Sequence, residues 1–217
     1  MREFVISAHQ PAMFPNNAFW TKMLRSDLFE LAIYDQFSTR KDFFVNRMNL
    51  GPEDNFETFK LPLTIQDKPQ DRICDVPLPE NYQELVWDAI GRAYHRFPYW
   101  WSLHPAIKEM VFGTTVKLVW EFDFWSILRM RELLGIKTPV AISEPPPRQG
   151  RTEDLIWLVK HYNGTTYLSG QGGKQYIDES VFEEAGIQLK YLSGTFDRTS
   201  ILTRIFLEGL ECRKSLL

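Results

Sequence analysis

Cysteine is nearly absent: only Cys74 and Cys212 occur in 217 residues, with no CxxC spacing and no histidine partner, so neither a disulfide framework nor a cysteine-based zinc site is indicated. Both are expected as buried thiols, and a reducing cytoplasm is the default compartment. No stretch approaches the ~18 consecutive apolar residues of a membrane span, and the opening MREFVISAHQPAMFP lacks the apolar core of a secretory signal. An excess of one charge is also missing. With 25 Lys and Arg against 28 Asp and Glu, the net charge is −3, which argues against a polybasic nucleic-acid module. Walker-type GxxxxGK[ST], HExxH and GxSxG are absent, which removes P-loop, zincin and serine-elbow chemistry. The two histidines in the aromatic stretch, His95 and His104, lie nine apart and have no metal-ligand spacing; no metal site is assigned and no cofactor is identified.

What is abundant is aromatic surface, with 7 Trp, 8 Tyr and 16 Phe. At 44% hydrophobic and 24% charged, the chain has the balance of one globular domain over 1–217. Its pattern reads as strand, loop and helix at the start: 3–8 apolar, His9–Pro15 polar and bounded by proline, Asn17 to Arg25 amphipathic. Leu28–Tyr34 reads as a second strand with Asp35 at its end. Residues 36–80 carry turn signals and alternating segments, as an irregular and partly β insertion would. Over 81–134, Leu85, Ile90, Tyr94, Val119, Phe122 and Leu133 recur at helical spacing, predicting two or three helices stopped by Gly135. Then come a short strand at Pro139–Ser143, a stiff triple proline, a helix capped by Thr152 and running to Tyr162, a strand at Thr165–Leu168, a helix near Glu179–Ala185 and a last strand at Gln188–Leu192. Strands alternating with helices predict an α/β fold: a mainly parallel sheet with flanking helices, of nucleotide-binding type.

In such sheets ligands bind beyond the carboxyl ends of the strands. His9 stands there, beside a backbone stiffened by Pro11 and Pro15, and an imidazole in that place can act as acid or base or meet a phosphate. Asp35 is placed to orient it or to hold a hydroxyl; the competing reading is a turn-forming aspartate. Arg40, Lys41, Asn46 and Arg47 follow, and Arg47 is the candidate to hold a carboxylate or phosphate, whereas a solvated surface explains Arg40 and Lys41 equally well. The richest stretch is Tyr167-Leu168-Ser169-Gly170-Gln171-Gly172-Gly173-Lys174-Gln175-Tyr176-Ile177-Asp178. Gly170, Gly172 and Gly173 allow backbone N–H groups to converge on an anion, Ser169 adds a hydroxyl and Lys174 a charge. Gln10, Tyr94, Tyr176 and Asp178 complete the candidate binding set. The aromatic run from Tyr94 to Trp101 is expected to serve mainly as core, with part of it free to line a pocket or stack on a base or sugar.

Ala8-His9-Gln10-Pro11 with Phe14-Pro15, the Tyr34-Asp35 end, Asn46-Arg47, and the Ser169-Gly170, Gly172-Gly173-Lys174 and Tyr176-Ile177-Asp178 segments together resemble the WbqC-like family, over about residues 5–210. Two departures are visible. The family's Asp-Asp is here Asp35-Gln36, and its late Ser-Ile-Leu-Asp is here Ser200-Ile201-Leu202-Thr203. The resemblance implies a context of sugar-polymer biosynthesis, with attachment of an amino acid such as glycine to an amino sugar-nucleotide; related sequences occur in phages. On that basis the expectation is a transferase joining an activated carboxylic acid to an amine on a nucleotide-linked acceptor, with His9, Asp35 and Lys174 catalytic. The alternatives are an enzyme modifying a pyrimidine in DNA, and a non-catalytic sugar-nucleotide-binding subunit.

Overall fold

The computed structural model describes residues 2–38, 43–63, 72–142, 144–147 and 150–216; the expectations for Arg40, Lys41 and Ser143 lie outside them. Its centre is a five-stranded parallel sheet in the order β5-β2-β1-β6-β7, formed by β1 Val5–His9, β2 Leu28–Leu31, β5 Val140–Ala141, β6 Thr166–Ser169 and β7 Gln188–Tyr191. The α/β reading therefore holds. A two-stranded antiparallel hairpin, β3 Arg47–Leu50 with β4 Glu57–Lys60, turns at Gly51, whose φ of 104° suits glycine.

The pleat divides the sheet's two faces. Ser7 and His9 of β1 and Phe29 and Leu31 of β2 turn toward α1, Asn17–Leu24: Ser7 Oγ meets Ser26 Oγ at 2.6 Å, and Phe19 packs edge-on against His9 and Phe29. Helix α1 starts where Asn16 Oδ1 accepts the Phe19 N–H, and it buries Phe19, Trp20 and Met23 in the larger core. That core continues into α2 Tyr82–Tyr94, α3 Trp100–Phe112, α4 Val119–Leu133 and α7 Ile201–Glu208. Three helices thus fill 81–134, and Gly135 ends the last with φ 64°. On the opposite face Ile6 and Tyr167, paired in register, pack with α5 Arg151–His161 and α6 Glu179–Glu184.

Several boundaries differ from the sequence reading. Strand β2 stops at Leu31, because Ile33 C=O accepts the Cys74 N–H and Asp35 C=O accepts the Ile73 N–H, which draw the chain away from the sheet. Asp35 accordingly sits in the turn beyond the strand. Thr152 does not cap α5. It lies in the first turn, and its hydroxyl accepts the Asp178 N–H at 3.1 Å. The glycine loop coils into a 3-10 turn over Gln171–Gln175. Cys212 is buried, but Cys74 only partly so. Among the described residues no helix is long and apolar enough to cross a membrane.

Asp123 of α4 is fully buried, and neither carboxyl oxygen has a hydrogen-bond partner among the described residues. Desolvation alone lifts it well above the carboxylate range, so it is carried protonated. A group raised in the fold stabilises fully below its unfolded value and loses that contribution as pH rises toward the folded one. Asp123→Asn should therefore gain stability over the natural chain as pH climbs from 4 to 8. Urea midpoints that run parallel over this range would show that the carboxyl finds a partner.

Candidate functional site

The sheet changes winding direction between β1 and β6. From β1 the chain crosses over through α1 on one face; from β6 it crosses through α6 on the other, so the loops leaving their carboxyl ends diverge. Their ladder stops at Ile6 opposite Tyr167, while β1 remains paired with β2 to His9 and β6 with β7 to Ser169. A crevice opens at that point.

His9, the last residue of β1, is exposed at its rim. Its Nδ1 lies 2.8 Å from Gln10 C=O. A carbonyl only accepts, so Nδ1 carries the proton and Nε2 keeps its lone pair. Desolvation by the surrounding atoms, Phe19 among them, and then the Lys22 ammonium push the imidazole down to about 4. The open rim relieves part of that desolvation; both causes act downward, and the ring is neutral at pH 7. Asp35 does not orient His9 directly. Its Oδ2 accepts from Gln10 Nε2 at 2.9 Å, so it fixes the residue whose carbonyl holds the imidazole.

Lys22, which the sequence reading passed over, is 5% exposed. Its Nζ donates to Ala8 C=O, at 2.6 Å, and lies 5.9 Å from the Phe29 ring centre. Burial brings the ammonium down to about 7. On the opposite face, buried Tyr167 is raised by desolvation and by the charges of Tyr176, Glu30 and Asp35, and its hydroxyl reaches the Ala8 backbone. Tyr176 is half exposed, and Arg151 stacks on its ring at 5.5 Å. Glu30, buried in β2, and Arg151 are further residues that sequence reasoning missed. Glu30 was hidden inside the apolar run Leu28–Tyr34, and Arg151 precedes the expected cap.

The remaining candidates divide. Arg47 is buried on β3 and shares a pocket with His9. That pocket contains no residue of 169–178: the imidazole faces α1, whereas Ser169, two along from Tyr167, faces α5. Ser169 is buried with its hydroxyl donating to Gly170 C=O, so it braces the loop. Lys174 is exposed with Nζ 5.2 Å from the Tyr191 ring centre. Gly170 and Gly172 stand in open space at ordinary φ, but a Cβ on Gly173 would lie 2.0 Å from Ser169 Oγ. Gly173→Ala should accordingly cost about 1–3 kcal/mol in urea unfolding, while Gly170→Ala and Gly172→Ala stay within about 0.5 kcal/mol. Equal losses at all three would mean that the loop conformation, not the Ser169 contact, requires glycine.

Tyr94 is not at the site. It is fully buried in α2, and its hydroxyl accepts from Gly51 N–H and meets Thr203 Oγ1 at 2.7 Å, which pushes it into a structural role. Asp178 caps α6 through Ser180 N–H. Of the aromatic run, Tyr94 and Trp100 are core, and Trp101 is 77% exposed. Among the described residues no group of three or more His, Cys, Asp or Glu side chains could hold a metal ion.

The loop after β1 is strained. Phe14 has φ 42°, a left-handed conformation that costs a bulky residue about 1–3 kcal/mol. It is held there by sequence-distant bonds: Ser200 Oγ donates to Phe14 C=O at 2.7 Å, Ile201 N–H to Pro15 C=O, and Met13 N–H to Phe44 C=O. Ser200, from the late Ser-Ile-Leu segment, thus acts on the His9 loop.

A model of the WbqC-like protein family matches residues 10–198. The uncharacterized protein Rv1507c of Mycobacterium tuberculosis is 26% identical over 203 residues, spanning 84% of this chain and 85% of that protein. Among solved structures, a zinc-bound AdcAII mutant variant from Streptococcus pneumoniae aligns over 100% of this chain and 98% of its own at 12% identity, with a TM-score of 0.24, which bears on neither fold nor function.

Proposed function

The chain belongs to the WbqC-like protein family, and from that premise we propose that it is a transferase joining a small activated acyl group, an amino acid such as glycine being one donor, to an amine on a nucleotide-linked amino sugar. The observation that carries this reading is His9 itself: a neutral imidazole at the point where the sheet reverses its winding, with Nδ1 spent on Gln10 and Nε2 available. The acceptor nitrogen attacks the acyl carbon and loses its proton to Nε2. As the new C–N bond forms, the activating group departs with the electron pair of the broken bond and takes that proton back. The glycine loop lies outside the His9 pocket, so Lys174 with the open Gly170 and Gly172 serves only the distal phosphates of a long acceptor, and Asp35 works through Gln10.

Product formation by the natural chain, His9→Ala and Lys174→Ala, assayed with nucleotide-linked amino sugars and activated acyl donors, tests the reading. Both variants should lose turnover. Undiminished turnover in both removes this site, and tight sugar-nucleotide binding without turnover in the natural chain makes the protein a binding subunit. One observation favours a second reading: Trp101, 77% exposed and edge-on to His104, offers a stacking surface for a nucleobase. Transfer to a modified pyrimidine in DNA, and none to sugar-nucleotides, would decide for it.

A further inference from the structure

Behind His9 lies a small pocket of about 40 Å³. One water needs roughly 10–15 Å³ of such space, so the pocket holds a group of about three non-hydrogen atoms. Its wall is apolar and buried: Ala12, Met13, Phe14, Phe19 and Met48 are each at most 3% exposed. The exposed lining residues are His9 and Arg198, which places the mouth beside the imidazole. Arg47, buried in the same lining, adds a cation that tells further against a positively charged occupant, while two other polar side chains spend bonds on the protein itself. Asn49 Nδ2 donates to Arg198 C=O, Asn49 Oδ1 accepts from Thr58, and the Ser200 hydroxyl serves Phe14 C=O.

Phe14 supplies an independent sign. Its left-handed backbone is held by Ser200 while its ring packs on Phe122, so the fold carries strain in the segment that walls this space. Strain maintained by surrounding contacts is characteristic of ligand clamps.

The geometry points to this pocket as the seat of the carbon end of the transferred group, an uncharged acyl chain of two or three carbons. The inference rests on the transfer reading for the identity of that group, and it narrows the donor to one without an α-ammonium, which sets free-amino glycine aside. An ammonium on the chain would be stripped of water against methionine and phenylalanine, whereas a methyl or methylene group gains by the same move.

Met13 and Met48 provide the readout. In the full chain labelled at methionine methyl carbons, propionamide and glycinamide are titrated separately at about pH 6, where glycinamide is a cation of the same heavy-atom count. Propionamide should shift the Met13 and Met48 signals saturably, and glycinamide should bind roughly tenfold more weakly or not at all. Ala12→Leu, checked for fold by circular dichroism, should abolish the propionamide shifts. Equal response to the two amides, no saturable shift at these methyls, or undiminished binding to a folded Ala12→Leu chain overturns the assignment. The titration needs no turnover: failure here leaves the transfer reading standing, while saturable propionamide binding by a chain that transfers nothing keeps the pocket and sinks that reading.

Discussion

His9→Ala should lower acyl transfer by about 10²–10⁴-fold, the ordinary yield of a positioned general base, with little change in melting temperature because the ring is exposed. The pH dependence is the sharper signature. A base works in its neutral form, and an imidazole of ordinary value near 6.5 would lose most of its activity between pH 7 and 5. His9, pushed down by desolvation and the Lys22 charge, should hold kcat/KM level to a lower pH than a free imidazole would, losing activity only toward the acid end of that interval or below it. An NMR titration of the ring proton checks the same shift directly. A midpoint near 6.5 would show that solvent at the rim outweighs the packed side and the Lys22 charge.

Lys22→Met should stabilise the fold. Bringing the ammonium from its ordinary value to about 7 corresponds, at about 1.36 kcal/mol per pH unit, to a penalty on the order of 5 kcal/mol wherever the group is charged in both states. Loss of the bond to Ala8 C=O returns about 1–2 kcal/mol, leaving a gain of about 3 kcal/mol near pH 6. The sign follows from proton counting. Between pH 7 and about 10.5 the unfolded chain holds more protons at this lysine than the folded one, so the natural chain gains stability with rising pH and the variant's advantage fades. Paired urea curves at pH 6 and 10 measure the difference. An unchanged midpoint at pH 6 would mean that the ammonium keeps its hydration. In the same variant the His9 titration should move upward, since one of the two causes holding it down is gone.

These side chains differ in how visible they were. His9 was legible because a polar, proline-rich loop after an apolar run is readable as the mouth of a parallel sheet. Lys22 was not: on an amphipathic helix a lysine reads as solvated, and only the crossing of α1 over the end of β1 buries it. Spacing alone predicted two or three helices over 81–134, and the structure has three. Strand β3 escaped detection because Arg47, Met48, Asn49 and Leu50 are all buried, which erases the alternation that marks a half-exposed strand. Its partner β4, with Glu57, Thr58 and Lys60 exposed, kept the turn-rich look of an insertion. Asp35 and Gln10 were both named, but the bond between them depends on where β2 breaks off, and that is decided by Ile73 and Cys74, some forty residues downstream.

The bonds from Ser200 and Ile201 to Phe14 and Pro15 join segments 186 residues apart. The pairing of β1 with β6 already brings the two ends of the chain together, so these bonds add little further loop closure. This clasp fixes the wall of the pocket beside His9, and Phe14, Ser200 and Ile201 are all buried. A change near one end of the chain, at Ser200, is therefore felt near the other, in the loop that follows His9.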